Sequence, residues 1–592
     1  MNRIPFIPEN APFTAEQRMW LNGFLAGVFS NANPPGASAL ASTLGLIAGP
    51  KTPLVLLYGS QTGTAEGLAK KTAKVAETRG FAPKLVSMDK YSDVDLTKEQ
   101  NVLIITSTYG DGDPPDMAQA FWNWLKADTA PKLDHLRYSV LALGDTNYSA
   151  FCEFGKKCDE RFAALGAKRV TDRKDCDTDY ETPAAEWTTS VFDVLGTATQ
   201  QHPGTNGSNG SATEVAADTA TWSRKNPFLA RLITNRRLSA EGSGKDVRHF
   251  EISLAGSGLT YEVGDALGVV PSNCPQLVGE ILSALGCDGE ECVKTADGEM
   301  PLRLALAQHF DITKPSHELL AAVAQRSSGA EFAPLLEASR KEELKKWLYG
   351  REIIDVLAGL TTPFAAQEFV ALLKKIAPRL YSISSSIKAH PDEVHLTIAA
   401  VRYEAHGRSR RGVASTFLAD RVGETGTVPV YVQASHGFKP PTNGDTPMIM
   451  VGPGTGIAPF RAFLEERLAT CAKGRNWLFF GDQKRATDFL YQDQLEGWVK
   501  DGHLTRLDLA FSRDRAEKIY VQSRMLEAAA ELWSWLEAGA HFYVCGDASR
   551  MAKDVDAALH TVIENAGGKS GDEAKAYVER LKSEKRYQRD VY

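Results

Sequence analysis

Residues 53–73 are PLVLLYGSQTGTAEGLAKKTA, and the change of pattern within this stretch decides the fold of the first part of the chain. The apolar run Leu54–Tyr58 predicts a buried strand, which stops at a turn of glycine and hydroxyl residues. The residues after Thr64 have the pattern of an amphipathic helix. A strand, a turn of this composition and a helix gather backbone N–H groups and hydroxyls around an anion. The stretch therefore predicts an anion site at the start of the helix.

The same alternation continues to about residue 199. Apolar runs at NVLIITST (101–108) and YSVLALGD (138–145) alternate with helix-like segments. This predicts a doubly wound parallel sheet with helices on both faces over residues 51–199. Ligands of such sheets lie outside the carboxyl ends of the strands. The residues that follow the three strands are therefore candidates for one site.

The loops after the second and third strands indicate a binding site for a flat ring. They contain STYGDGDPP (107–115) and LGDTNY (143–148), which present aromatic rings beside glycines. Two such loops can sandwich a planar ring while backbone groups bond its edge. Neither GKS/T nor GxGxxG occurs here, which argues against ATP and against a dinucleotide. One phosphate with one flat ring indicates FMN, although each loop alone is also compatible with an ordinary turn.

The chain of 592 residues is too long for one core, and its composition suggests where it divides. Residues 200–221 are rich in Gly, Ser, Asn and Thr, which predicts a flexible tether, with an ordinary surface loop as the alternative. Residues 222–441 have β-like stretches, interrupted at about 275–359 by a mostly helical insertion. Strand–turn–helix alternation returns over 442–592, and residues 1–50 are predicted to be an N-terminal helical extension.

Two stretches of the β region suit a second flavin. RLYSISSS (379–386) offers an arginine fork for a pyrophosphate and Tyr381 for stacking on a ring. RRGVASTFL (410–418) places Gly412 to Ser415 at an apparent helix start, which again suits phosphate. Each stretch alone is also compatible with an ordinary strand or helix cap.

The last α/β region suits a pyridine dinucleotide. In MIMVGPGTGIAPFR (448–461), three glycines let a pyrophosphate approach the backbone. FSRDRAEKIYVQ (511–522) supplies Ser512, Arg513 and Lys518, a hydroxyl and two cations that suit the 2′-phosphate of NADPH, and Tyr520 to stack on adenine. An NADH site would favour an acid instead, and a solvated charged loop is the structural alternative.

Together these motifs resemble the diflavin reductase family. The FMN loops YGSQTGTAE, STYGDGDPPD and LALGDTNYSAFC look like those of its flavodoxin-like domain, and the later motifs resemble the FAD barrel of ferredoxin–NADP reductases. The resemblance implies a multidomain α/β protein: a flavodoxin-like doubly wound sheet, an antiparallel β-barrel with a helical insertion, and a Rossmann-like NADP-binding domain. The expected FMN residues are Ser60, Gln61, Thr62, Gly63, Thr64, Ala65, Ser107, Thr108, Tyr109, Gly110, Leu143, Gly144, Asp145, Thr146, Asn147, Tyr148, Phe151 and Cys152.

The resemblance also implies the other two cofactor sites and a catalytic group. The expected FAD residues are Thr313, Arg379, Leu380, Tyr381, Ser382, Thr397, Ile398, Ala399, Tyr403, Gly412, Val413, Ala414, Ser415 and Tyr592. The expected NADPH residues are Gly454, Thr455, Ser512, Arg513, Lys518, Tyr520, Gln522 and Asp554. Ser382, Cys545 and Asp590 would assist hydride transfer, and Tyr592 would cover the FAD ring and move aside for nicotinamide. Without the resemblance, Cys545 would be taken as core filler and Tyr592 as a frayed end.

The segments FTAEQRMWLNGFLAGVFS (13–30) and KRYQRDVY (585–592) are similar to those of flavoprotein subunits of bacterial NADPH–sulfite reductases, and the similarity covers nearly the whole length. It implies electron flow from NADPH through FAD and FMN to a separate siroheme/iron–sulfur hemoprotein subunit. The runner-up is a stand-alone P450-type reductase, since the loop of Tyr109 resembles theirs; a non-enzymatic nucleotide-binding scaffold is a third hypothesis. The apolar segment Trp20–Phe29 is interpreted either as a docking or oligomerising helix or as a helix packed on its own domain.

The composition limits the partners. The net charge of −7 argues against nucleic acid, and no apolar run approaches the roughly 20 residues that span a bilayer. The eight cysteines form no CxxC pair, so we expect no iron–sulfur cluster or zinc in this chain. A cytoplasmic protein is expected.

Overall fold

The computed structural model describes residues 51–61, 63–110, 112–146, 150–177, 179–197, 222–327, 329–423, 426–435 and 437–592. The predictions for residues 1–50 and for the tether at 200–221 lie outside the described residues. No described helix is long and apolar enough to cross a membrane.

The first part of the chain forms a parallel sheet in the order β2-β1-β3-β4-β5, with β6 paired to β4. Its strands are β1 (Thr52–Gly59), β2 (Phe81–Ser87), β3 (Asn101–Ser107), β4 (Arg137–Leu143), β5 (Lys168–Arg169) and β6 (Lys174–Cys176). Helices α1 (Thr64–Thr78), α2 (Gln119–Lys126), α3 (Glu153–Ala164) and α4 (Glu181–Thr197) cover its two faces. Because β1 and β3 are adjacent and lead to opposite sides, their carboxyl ends form a crevice.

An antiparallel sheet follows, in the order β12-β9-β16-β7-β8-β13, with a bridge from Ile383 to Leu396 closing it as a barrel. A mostly helical insertion with its own apolar core lies between β9 and β12, and its helices continue to Ala371, past the predicted end near 359. The elements in chain order are β7 (Phe228–Arg237), β8 (Val247–Ser253), β9 (Ala266–Val269), α5 (Pro275–Leu285), β10 (Cys292–Thr295), β11 (Gly298–Pro301), α6 (Leu302–Gln308), α7 (His317–Arg326), α8 (Lys341–Leu348), α9 (Ile353–Leu357), α10 (Ala366–Ala371), β12 (Arg379–Ser382), β13 (Glu393–Ala399), β14 (Arg402–Ala405), β15 (Arg408–Arg411), α11 (Val413–Thr416) and β16 (Thr427–Gln433).

The last part forms a second parallel sheet in the order β19-β18-β17-β20-β21. The elements are β17 (Met448–Val451), α12 (Ala458–Ala469), β18 (Asn476–Asp482), α13 (Arg485–Asp488), α14 (Gln492–Lys500), β19 (Arg506–Phe511), α15 (Val521–Glu527), α16 (Ala529–Glu537), β20 (His541–Gly546), α17 (Met551–Asn565), α18 (Gly571–Ser583) and β21 (Tyr587–Val591). The chain leaves β17 toward β18 on one side, and β20 lies on the other. The switch point of this sheet is therefore at the glycine turn that follows β17.

Candidate functional site

The turn after β1 is closed by the side chain of Ser60. Its buried Oγ accepts hydrogen bonds from the backbone N–H groups of Gly63, at 2.9 Å, and Ala65, at 3.2 Å. Gly63 precedes helix α1 with a φ of 88°, a left-handed conformation that favours glycine. The predicted phosphate turn thus gathers a hydroxyl and backbone N–H groups at the N-terminus of α1, which begins at Thr64. Thr62 lies outside the described residues.

Hydroxyl groups at the end of β3 connect this turn to the other loops. The Ser107 Oγ accepts a hydrogen bond from the backbone N–H of Gln61 at 3.4 Å. The Thr108 Oγ accepts one from the backbone N–H of Phe154, at the start of α3, at 3.1 Å. The loop then turns sharply at Gly110, with a φ of 52°. The structure therefore brings the first two predicted FMN loops together.

The third loop packs closely against the start of α3. Leu143 ends β4, and a Cβ atom at Gly144 would lie 2.7 Å from the Cys152 backbone nitrogen and 2.9 Å from the Phe151 ring. Gly144 therefore has no room for a side chain, whereas Asp145 and Thr146 are half-buried at the crevice. Asn147 and Tyr148 lie outside the described residues.

Cys152 lies behind this loop. Its fully buried thiol donates a hydrogen bond to the Ala142 carbonyl at 3.4 Å. Burial raises the pKa of the Cys152 thiol to about 12. Cys152 is therefore part of the packed interior behind the loop, whereas its contact with FMN stays a prediction.

A cavity of about 280 Å³ lies between the barrel and the insertion, and its lining includes Thr313, Val413 and Arg421. Two residues of its lining each have a buried polar atom without a hydrogen-bond partner among the described residues, Asn273 at Oδ1 and Arg421 at Nε. Burial lowers the pKa of Arg421, so its partly desolvated charge favours an anion beside it. The Arg421 guanidinium suits the pyrophosphate part of FAD, whereas the Asn273 Oδ1 can only accept a hydrogen bond, and sequence reasoning singled out neither residue.

The turn of Gly412 to Ser415 contributes Val413 to the lining of this cavity. Gly412 is the N-cap of the short helix α11, and a Cβ atom there would lie 2.6 Å from the Ser415 Oγ. That hydroxyl accepts a hydrogen bond from the Val401 backbone N–H at 3.1 Å, which connects the turn to the strands before it. Ala414 is buried beneath the turn.

The remaining predicted FAD residues lie on neighbouring strands. Arg379, Leu380, Tyr381 and Ser382 form β12, and burial raises the pKa of the Tyr381 phenol. Thr397, Ile398 and Ala399 end β13, and the Thr397 hydroxyl hydrogen-bonds the Tyr491 hydroxyl at 2.6 Å. Tyr403 in β14 is 47% exposed, which leaves its ring accessible.

Ser382, Cys545 and Asp590 meet where the barrel joins the second parallel sheet. Cys545 in β20 and Asp590 in β21 are direct strand neighbours. The Asp590 Oδ2 accepts hydrogen bonds from the Ser382 Oγ at 2.6 Å and from the Cys545 Sγ at 3.8 Å. Burial raises the pKa of Asp590, which the two hydrogen bonds partly oppose, and burial holds the pKa of Cys545 well above its usual range. The cluster therefore combines a hydroxyl, a thiol and a carboxyl of raised proton affinity.

The glycine turn and the last residue lie beside this cluster. Gly454 has a φ of 58°, and Gly456 packs directly on the Cys545 carbonyl. The terminal residue Tyr592 is 59% exposed, and its hydroxyl hydrogen-bonds the Thr455 hydroxyl at 2.9 Å. The structure thus places the terminal ring at the entrance to the cluster.

The residues predicted to bind the NADPH adenosine lie after β19. The backbone N–H of Ser512 donates to the Asp482 carbonyl at 2.9 Å, and Arg513 and Lys518 extend into solvent. Tyr520 is 46% exposed at the start of α15. These groups form an open, cationic surface that suits a phosphate.

Two further residues predicted to bind NADPH contact each other. Gln522 Nε2 donates to the Asp554 Oδ2 at 3.2 Å. Sequence reasoning missed Lys245, whose Nζ donates to the Asp482 Oδ1 at 2.5 Å and lies 3.8 Å from the Cβ position of Gly454. No motif marks this lysine, which reaches the glycine turn from the β7–β8 loop.

A histidine cluster lies between the barrel and the last sheet. The His249 Nε2 lies 3.1 Å from the Glu251 carboxylate, and the His395 Nε2 lies 3.2 Å from that of Glu393. Burial, with Arg461 nearby, lowers the pKa of His249 to about 4 and that of His395 to about 2. Both imidazoles are therefore neutral at physiological pH.

Comparison with known proteins gives three family matches in chain order. Residues 56–187 match the flavodoxin family, 220–417 the FAD binding domain, and 450–557 the oxidoreductase NAD-binding domain. The sulfite reductase [NADPH] flavoprotein alpha-component of Bacillus subtilis is 47% identical over 98% of this chain and 96% of its own length. Proteins of the same name from Vibrio cholerae and Vibrio vulnificus are 43% and 40% identical, over 98% and 100% of this chain and 93% and 96% of their own lengths.

Proposed function

Because the chain belongs to the family of NADPH-dependent sulfite reductase flavoprotein alpha-components, we propose that it passes electrons from NADPH through FAD and FMN to a hemoprotein partner. The partner would carry siroheme and an iron–sulfur centre and would reduce sulfite to sulfide. The observation that carries this proposal is the cluster of Ser382, Cys545 and Asp590, which joins the barrel to the dinucleotide-type sheet. The word alpha-component in the relatives' names supports a partner of a different kind.

The chain's own residues prepare hydride transfer. When bound, the flavins would supply the redox chemistry, because they accept two electrons together and release them one at a time. Ser382 and Cys545 donate hydrogen bonds that hold the Asp590 carboxyl in place, and burial raises the pKa of that carboxyl. Tyr592, whose hydroxyl contacts that of Thr455, would cover the FAD ring and would move aside to admit a nicotinamide.

The FMN end is held by the first parallel sheet. The Ser60 turn supports a phosphate, while the Tyr109 loop lies at the same edge as a candidate ring partner. The predicted tether at 200–221 would let this part of the chain move between FAD and an external acceptor. Shortening it severely would then slow acceptor reduction and leave the reduction of FAD by NADPH intact.

The proposal is tested with the purified protein and a sulfite reductase hemoprotein. We expect equal amounts of FAD and FMN on extraction, and NADPH-dependent sulfide formation only when both proteins are present. Cytochrome c reduction without any sulfide, in the presence of an active hemoprotein, would favour the P450-type alternative. Protein that takes up neither flavin would favour the scaffold.

A further inference from the structure

The Tyr109 loop contacts the C-terminal strand, although 482 residues separate the two in sequence. The Tyr109 hydroxyl donates to the Val591 carbonyl at 3.1 Å and accepts from the Val591 backbone N–H at 3.3 Å. Its ring packs on the apolar core that contains Tyr587 and Val591. One side chain of the FMN unit, here residues 51–197, therefore holds both backbone groups of a single residue of β21.

A charged pair reinforces this contact. The Arg589 guanidinium pairs with the Asp116 carboxylate, with Nε 3.3 Å from Oδ2. Burial lowers the pKa of Arg589, whose side chain is only 23% exposed. A desolvated charge of this kind is costly to leave without its partner.

Asp116 is itself tied to the phosphate turn. The Gln61 Nε2 donates to the Asp116 Oδ2 at 3.1 Å, and the Asp116 backbone N–H donates to the Gln61 Oε1 at 2.9 Å. The position of Arg589 is thereby connected to the turn that would hold the FMN phosphate. A second contact lies away from β21, where Asp179 pairs with Arg224 at 2.9 Å and with Lys375 at 3.5 Å.

The side chains on the two faces of β21 therefore contact different parts of the protein. Successive side chains of a strand point to opposite sides. Asp590 faces Ser382 and Cys545, whereas Arg589 faces the FMN unit. The residue that belongs to the hydride-transfer cluster is thus the direct neighbour of the residues that receive the FMN unit.

We propose that Tyr109 and Asp116 are positioning residues that seat the FMN unit on β21 for electron transfer from FAD to FMN. The inference rests on the proposed function, since it assumes that both flavins are bound. In the seated state the Tyr109 loop lies next to the cluster at which FAD receives its hydride. When the FMN unit leaves for an external acceptor, Arg589 and the Val591 backbone lose these partners.

The test uses the full-length protein loaded with both flavins. Asp116→Asn removes the charge at nearly constant size, and Tyr109→Phe keeps the ring but removes the hydroxyl. Glu160→Gln, at an exposed position of α3 in the same unit, is the matched control. Flavin content is measured first, so that loss of FMN is not mistaken for loss of seating.

The first readout is hydrogen exchange of the peptide that covers residues 585–592. We expect its slowest amides to exchange roughly tenfold faster in Asp116→Asn and Tyr109→Phe than in the wild type, because their seated state is less populated. The control variant should match the wild type. Unchanged exchange in both variants would overturn the proposal.

The second readout is stopped-flow electron transfer after mixing with NADPH. In Asp116→Asn we expect FAD reduction at the wild-type rate, followed by transfer to FMN that is about tenfold slower. Exchanging the charges, Asp116→Arg with Arg589→Asp, should restore at least half of that loss. Electron transfer from FAD to FMN at the wild-type rate in Asp116→Asn would refute the proposed positioning role of Asp116. Failure of NADPH to reduce FAD in the wild type would instead refute the proposed function.

Discussion

Gly456 has no space for a side chain, and adding one tests the geometry of the proposed hydride-transfer cluster of Ser382, Cys545 and Asp590. A Cβ atom at this position would lie 2.1 Å from the Cys545 carbonyl oxygen and 2.8 Å from its carbon. Both are backbone atoms of the buried strand β20, so they cannot rotate away as a flexible side chain would. The substitution Gly456→Ala must therefore move the glycine turn or β20 by about 1 Å.

The size of the effect follows from this displacement. Overpacking in a rigid core costs about 1–3 kcal/mol, and we expect Gly456→Ala to lower the free energy of unfolding by that amount. A displacement of about 1 Å at a reacting centre costs on the order of 100-fold in rate. Cys545 donates to Asp590, so the displacement reaches the cluster directly.

The assay is NADPH-dependent ferricyanide reduction, combined with urea unfolding followed by tryptophan fluorescence. Gly497→Ala is the matched control, since Gly497 lies within α14 and a Cβ atom there would meet nothing within 4 Å. We expect the control to be as active as the wild type and up to about 1 kcal/mol more stable, because alanine favours a helix. If Gly456→Ala were as stable and as active as the control, the tight contact with Cys545 would be refuted.

Three further predictions follow from the site. Ser382→Ala removes a hydrogen bond that lowers the pKa of Asp590, so FAD reduction should slow roughly 10-fold to 100-fold and its pH profile should move to higher pH, as stopped-flow at several pH values would show. Arg513→Gln should raise the KM for NADPH about tenfold and leave the KM for NADH unchanged, because it removes one phosphate contact; equal effects on both would contradict the assignment. His249 and His395 are neutral in the folded state but protonate near pH 6.5 in the unfolded state. Between about pH 6.5 and pH 4 the unfolded state therefore binds more protons than the folded state. The free energy of unfolding should therefore fall by up to about 2.7 kcal/mol per pH unit in that window, and a flat urea midpoint from pH 7 to pH 5 would contradict it.

The sequence was informative where function depends on local pattern. The continuous apolar run of β3 marks a strand buried on both faces, and the hydroxyls that follow it mark a sheet edge where ligands bind. Ser60 and Gly412 lie in short turns whose residue types suit phosphate. Such motifs are complete within about ten residues, so that no tertiary information is needed to find them.

Contacts between distant segments could not be predicted in this way. Lys245 reaches Asp482 across 237 residues, and Asp116 reaches Arg589 across 473. Both pairs depend on how whole domains pack against each other. A lone lysine or aspartate in a loop has no sequence periodicity that would identify it as a contact residue. Ser382 and Asp590 were grouped only through the family resemblance, because they lie 208 residues apart in the sequence and meet only in the folded protein.

The point at which the helical insertion leaves the barrel has a consequence for engineering. Val269, at the end of β9, is paired with Arg379, at the start of β12, so the insertion departs and returns one strand spacing apart, about 5 Å. A short reverse turn would bridge that gap, and the barrel would retain every strand pairing. A chain trimmed in this way would keep the strand pairings of the barrel but would lack one wall of the cavity, so we expect the barrel to form and the retention of FAD to fall.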